Sequence, residues 1–398
     1  MRVVAIMLAG LCWSHARPAA RLQAQQPGGP PLDSAFLLTS RDPGRSPSPF
    51  VGNGRLGVVI PALGIGPSYS YKAGLYEHGP GDVPRIVAVP AWNAVAVFDG
   101  QEWIGPRARL DSAIRTYHQT VDMRTGAART SYDWANGATR TSVRVETFVS
   151  RANPHLTAIR LHLSPHHAGR LRVRFGLRGW PAPRRLALAK LAHADPAWKP
   201  DDVWYPGHME VRSRESTQES WGVRLAMTAT PVGRTSSLAQ AAAVSWAMDL
   251  RNATITRTAS GDSALVEIAF DALPGRTYAF SQLASHVSSD EAQRPMEQAN
   301  REIASARSRG FERLAADNAQ AWLSRWETDI EIEGNPELQR VVRSMLFYLL
   351  SSADSGTKLG IPPMGLSSAG YYGHIFWDSD SWMFPSLLTR TPTSPIHR

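Results

Sequence analysis

The chain has 398 residues, enough for two or three domains around a large core, with a formal net charge of +9 at pH 7 and one cysteine. A single cysteine excludes a disulfide framework and a thiolate metal cluster. The positive charge does not amount to a nucleic-acid surface, because lysine occurs only as Lys72, Lys190, Lys199 and Lys358 and the arginines are scattered.

The chain opens with Met1-Arg2 as a short positive region and an apolar run over residues 3–13. Small residues follow at Ala19, Ala20 and Ala24, before a Gln/Pro/Gly-rich stretch. This order predicts a signal peptide over residues 1–24 and a secreted or periplasmic protein. The alternative, a first helix of the mature fold, is opposed by Pro18, Pro27, Pro30 and Pro31. Cys12 lies inside this segment, and Leu11 before it is a poor match to a lipid-attachment box, so the mature chain is expected to carry neither a thiol nor a lipid. Further along, no run reaches the roughly eighteen apolar residues of a membrane span.

Residues 25–287 follow a period of two from about position 32 onward. Thr157, Ile159, Leu161 and Leu163 alternate with Arg160 and His162; Val266, Ile268 and Phe270 alternate with Glu267 and Asp271. Arg170, Arg172, Arg174 and Arg178 alternate with Leu171, Val173, Phe175 and Leu177, which reads as the solvent side of a half-buried strand. Asp99-Gly100 and Asn136-Gly137 mark tight turns. Many short strands at regular spacing predict a large antiparallel sandwich. The proline-rich stretch 181–207 interrupts it as an excursion loop, with a short helix expected over 186–191.

Over residues 288–328 the period changes to that of a helical linker. Residues 290–309 are polar and free of glycine until Gly310, and Phe311, Leu314, Asn318, Trp322 and Trp326 then share one helical face. From residue 329 the helical pattern continues. Asn335-Pro336 reads as an N-cap and first helical residue, followed by a stripe of Leu338, Val341, Val342, Met345, Leu346 and Leu349.

The stretch Gly373-His374-Ile375-Phe376-Trp377-Asp378-Ser379-Asp380-Ser381-Trp382 suits a sugar. Aromatic faces stack on the apolar C–H patches of a pyranose, and carboxylates accept its hydroxyl hydrogens. Asp378 and Asp380 diverge on a helix and share a face on extended chain. They read either as an acid–base pair or as a hydroxyl acceptor, Asp378, beside a structural carboxylate, Asp380. His374 has aromatic neighbours and no partner at i+4, so it reads as a packed, hydrogen-bonded histidine, and no metal site is expected. Trp92 reads as core, with sugar contact as the alternative. Gly52, Gly54 and Gly57 lack the spacing of a nucleotide loop and read as turn glycines.

In these residues the chain resembles glycoside hydrolase family 65, the acid trehalase and disaccharide phosphorylase family. The similar pieces come in order: Gly52-Asn53-Gly54-Arg55-Leu56-Gly57, Ala73-Gly74-Leu75-Tyr76, Val89-Pro90-Ala91-Trp92 and Asp122-Met123-Arg124-Thr125-Gly126. Then come Trp322 and Trp326, and finally Tyr371-Tyr372-Gly373-His374-Ile375-Phe376-Trp377-Asp378 running on to Trp382-Met383-Phe384-Pro385. The resemblance implies an N-terminal antiparallel β-supersandwich of the galactose-mutarotase type, a helical linker, and over residues 329–398 the first part of an (α/α)6 barrel. It also implies inverting cleavage of an α-glucosyl disaccharide, oligosaccharide or glycoconjugate. Trp377 and Asp378 match the positions that hold the non-reducing glucose, with Phe376 and Asp380 beside them. Ser379-Asp380, where phosphorylases of the family commonly have Thr-Glu, favours hydrolysis; the alternative is a disaccharide phosphorylase using inorganic phosphate as co-substrate. No other cofactor is implied, and family members are often homodimers.

Inversion requires a carboxylic acid to protonate the leaving oxygen. In the family this is a glutamate expected beyond residue 398, so no catalytic residue is assigned within the chain, which reads as a truncated or frame-shifted product. A non-catalytic carbohydrate-binding sandwich is the remaining alternative. On this reading the sandwich is self-sufficient, whereas the helices after residue 336 leave Met345, Leu346, Leu349, Phe376 and Trp382 uncovered.

Overall fold

The computed structural model describes residues 34–388 except 46, 79–82, 106–112, 138 and 184–204. The expected signal peptide and the helix expected over 186–191 lie outside the described residues.

The strands begin with β1 (Leu37–Ser40), β2 (Phe50–Gly52), β3 (Leu56–Val59), β4 (Ser70–Glu77), β5 (Arg85–Ala88) and β6 (Ala96–Phe98). They continue with β7 (Ile114–Asp122), β8 (Ala127–Asn136), β9 (Thr139–Val149), β10 (Leu156–Pro165) and β11 (Gly169–Arg178). The last are β12 (Met209–Glu219), β13 (Gly222–Pro231), β14 (Leu238–Trp246), β15 (Thr254–Ser260), β16 (Ser263–Ala272) and β17 (Tyr278–Ser288). Nine of them pair antiparallel in the order β1-β7-β8-β9-β10-β17-β14-β13-β12, and β15-β16-β11-β6 and β2-β3-β4-β5 form two four-stranded sheets.

Alternation decides which side of each strand is dry. Val145, Leu161 and Leu163 from the large sheet meet Val173, Phe175, Val266, Ile268 and Phe270 from β11 and β16 in one core. The arginines of β11 point the other way. Arg170 pairs with Asp271 at 3.0 Å and Arg174 with Glu267 at 2.6 Å, while the Arg172 guanidinium lies over Phe98. Trp92 is wholly buried and its indole N–H donates to Ser70 Oγ at 3.0 Å, so it belongs to the core and not to a sugar surface.

The large sheet is also covered on its outer face. Helices α1 (Pro295–Arg309) and α2 (Phe311–Leu323) fold back on it. Residues of β14 are buried on both faces over Leu238–Val244, and its outer residues Ala241 and Ala243 are small enough for Ala299, Ile303 and Ala306 of α1 to approach. The face predicted for α2 is the one that is buried. Asn318 accepts the backbone N–H of Arg151 at 2.8 Å and donates to Thr125 O at 2.7 Å, and Trp326 donates to Met123 O at 2.8 Å. Trp322 enters a slot over Gly126, which has φ +62; a Cβ there would overlap the indole.

Helix α3 (Pro336–Ser352) starts as expected, with the Asn335 side chain accepting the Leu338 N–H at 3.0 Å. Its buried face overlaps the expected stripe only at Leu346 and, in part, at Val342. Leu338, Val341 and Met345 are exposed, and Gln339, Arg343, Leu346, Phe347 and Leu350 dock on the sandwich. The polar members are tolerated because each is satisfied: Gln339 bonds the backbone of Ile330 and Ile332, and Arg343 pairs with Asp329 at 2.6 Å over the Phe36 ring. Leu346 is therefore covered, contrary to expectation, and α3 shares the main core with the sandwich.

Candidate functional site

The aromatic-acid segment is irregular. Tyr371, Tyr372 and Gly373 form a left-handed turn, extended chain follows through Phe376, and a π-turn over Ser379–Met383 leads into α4 (Phe384–Leu388). Single π-turns of this kind recur at binding sites because they re-aim side chains within a helix. Trp377 is 62% exposed, and its ring meets Trp382 edge-to-face at 4.9 Å. Phe376 is also exposed and packs edge-on against Tyr371 at 5.8 Å. Asp378 is half-buried at the helical entry, so Asp378 and Asp380 diverge and do not share one face as an acid–base pair would. His374 is a hydrogen-bonded packing residue, its Nε2 2.6 Å from Pro84 O.

A cavity of about 520 Å³ lies beside this segment, lined by Arg151, Arg325, Asp354, Thr357, Ser379 and Asp380 with Leu350, Ile361 and Phe384. Arg151 spans from the sandwich to the end of α3, donating to Leu350 O at 2.6 Å and Ala353 O at 2.9 Å, where terminal carbonyls favour a cation. Burial, and then the nearby Arg325, push its pKa down to about 10. The structure thus brings Asp380 to the cavity and leaves Phe376 and Trp377 on the open surface.

A second constellation, which sequence reasoning missed, clasps the linker to the sandwich. Buried Lys72 of β4 lies 2.8 Å from Glu291 in the turn between β17 and α1, and Ser288 donates to the same carboxylate through its N–H and its hydroxyl, each at 2.9 Å. His155 stands between Glu291 at 3.5 Å and Glu302 of α1 at 2.8 Å. Arg55 reaches Asp354 at 2.6 Å, linking the clasp to the cavity wall. Burial lowers the Lys72 pKa against the pull of Glu291. Burial works against Glu291 too, but His155 and Lys72 hold its carboxyl well below the usual range. His286, wholly buried next to this group, is pushed down to about 3 by desolvation and stays neutral. The only sequence signal was a lysine next to Tyr71 and Ala73 in a short strand.

For His155, burial opposes protonation, and the hydrogen bonds to Glu291 and Glu302 overcome it, raising the pKa above the ordinary 6.5. A raised folded pKa gives stability that is complete below the unfolded pKa and is lost as pH rises through the folded value. The stability difference between the native chain and His155→Gln is therefore expected to be largest below about pH 6.5 and to shrink on the alkaline side. Denaturant unfolding of both proteins across that range checks this; parallel curves would remove His155 from the clasp.

Among the described residues no helix is long and apolar enough to cross a membrane. Residues 49–325 match the family model for the N-terminal domain of glycosyl hydrolase family 65. A stretch of 118 residues is 44% identical to a kojibiose hydrolase of Mucilaginibacter mallensis, covering 30% of this chain and 18% of that protein. Over 330 residues the chain is 23% identical to a kojibiose phosphorylase of Halothermothrix orenii, covering 81% of this chain and 40% of the other. A solved structure from the human microbiome, provisionally described as a kojibiose phosphorylase, superposes with a TM-score of 0.70 at 13% identity, over 89% of this chain and 46% of that one. The matches thus span less than half of these relatives' own lengths. That likeness supports the same sandwich followed by the start of a helical domain, and with the family match over more than half its length, the chain belongs to glycosyl hydrolase family 65.

Proposed function

We propose that this chain is part of an exported inverting α-glucosidase whose substrate is an α-glucosyl disaccharide of the kojibiose type. The observation that carries it is the segment 376–380. It presents an exposed Trp377 face beside the Asp378 carboxylate, with Asp380 turned to the adjoining cavity. Trp377 stacks on the C–H face of the non-reducing glucose, with Phe376 beside it, and Asp378 accepts its hydroxyl hydrogens. No residue of the chain is assigned the proton transfer to the leaving group. Hydrolysis is favoured by Ser379-Asp380 and by the hydrolase relative's 44% identity. Phosphorolysis, with inorganic phosphate as co-substrate, is the second reading, favoured by the long match to a phosphorylase. Neither reading calls on another cofactor. Residues 329–388 are read as the opening of the helical barrel.

Calorimetric titration of the chain with kojibiose tests the site. Asp378→Asn is expected to weaken binding about 10- to 100-fold, the equivalent of losing a charged hydrogen bond worth roughly 1.5–3 kcal/mol. An unchanged affinity would take Asp378 out of the site. Incubation of the whole protein with kojibiose separates the two chemistries, since glucose phosphate formed only with added phosphate would overturn hydrolysis.

A further inference from the structure

The segment that presents Phe376, Trp377 and Asp378 is entered through backbone that ordinary side chains avoid. Tyr371 has φ 53 and ψ 27, Tyr372 φ 55 and ψ 17, and Gly373 φ 72, three left-handed residues in a row. Two non-glycine residues persist in that region only where their surroundings over-determine them.

Here the surroundings come from the sandwich. Tyr372 and Tyr205 both lie 4.8 Å from the Arg85 guanidinium carbon, with their ring centroids 6.4 Å apart. Arg85 is buried and paired at 3.3 Å with the wholly buried Glu77, which also accepts the His208 N–H at 2.9 Å. Swinging the guanidinium away would break its ion pair with that buried carboxylate. The turn is gripped on its other side as well. Tyr76 donates its hydroxyl to Gly373 O at 2.6 Å, and a Cβ on Gly373 would lie 2.6 Å from Ile86.

We propose that Arg85, held by Glu77, is a positioning residue for the sugar-facing segment. Its face fixes Tyr372, Tyr372 fixes the left-handed turn, and the turn aims Trp377 and Asp378. This deepens the functional reading above and rests on it only for the identity of the ligand.

Arg85→Lys keeps a charge for Glu77 but loses the planar face, and Tyr372→Leu removes the ring while leaving the ion pair intact. The readouts are near-ultraviolet circular dichroism from the Trp377–Trp382 pair, amide hydrogen exchange over residues 374–383, and kojibiose affinity. Both variants are expected to weaken the tryptophan signal, to speed exchange in that segment by about tenfold or more, and to leave the sandwich amides protected. Tyr372→Phe, which keeps the ring, restores all three readouts. Native tryptophan signal and exchange in both Arg85→Lys and Tyr372→Leu would overturn the inference. Should the native chain bind no sugar while the two variants still release the segment, the positioning role stands and the sugar reading falls.

Discussion

Glu291→Ala is expected to cost the folded chain about 3–5 kcal/mol, the range for breaking a buried ion pair from one side. The carboxylate is the partner of Lys72, whose side chain is only 2% exposed, and it also holds His155 and the Ser288 backbone. Removing it leaves an ammonium in the dry interior and frees the turn that leads into α1. Pairing the change with Lys72→Met takes away the stranded cation, so the double variant should recover much of the loss. Denaturant unfolding of the single and double variants measures both effects. A loss below about 1 kcal/mol for Glu291→Ala would mean that Lys72 finds its stabilisation elsewhere.

Trp322→Ala is expected to be comparably severe, about 3–5 kcal/mol for an aromatic truncated inside a packed core. The indole is wholly buried, lies 4.8 Å from the Phe347 ring of α3, and carries the Arg151 guanidinium 5.1 Å from its centroid. It thus joins sandwich, linker and α3 at one point, and the slot over Gly126 would be left empty. Unfolding curves measure the loss, and Gly126→Val should cost a similar amount by closing the slot from the opposite side. A small effect of Trp322→Ala, under about 1 kcal/mol, would show that α2 does not need its anchor.

What was legible in the sequence followed from periodicity and local chemistry. The alternation in β10 and β16 gave the sandwich, and the spacing of Phe311, Leu314, Asn318 and Trp322 gave the docked face of α2, polar Asn318 included. The docked face of α3 departs from the apolar stripe because burial there follows hydrogen-bond satisfaction as well as apolarity. Arg343 and Gln339 go inside since their partners, Asp329 and the backbone of Ile330 and Ile332, are supplied by the preceding loop. Lys72 and Glu291 are 219 positions apart, a pairing that no local pattern records. The aromatic-acid segment was readable as composition but not as shape. Nothing in the residue types of Tyr371 and Tyr372 announces left-handed backbone, which is imposed by contacts with strands almost three hundred residues earlier.

The alanines on the outer face of β14 carry a consequence for anyone handling this molecule in parts. Ala241 and Ala243 leave no side-chain bulk of their own to shield the middle of the largest sheet, and that shielding comes from Ala299, Ile303 and Ala306 of α1. The junction after Ser288 is therefore a change of secondary structure and not a seam in the hydrophobic core. A recombinant form cut there would carry a flat apolar stripe down its centre, an invitation to self-association. A graft of this sandwich onto another module has to take α1 and α2 with it.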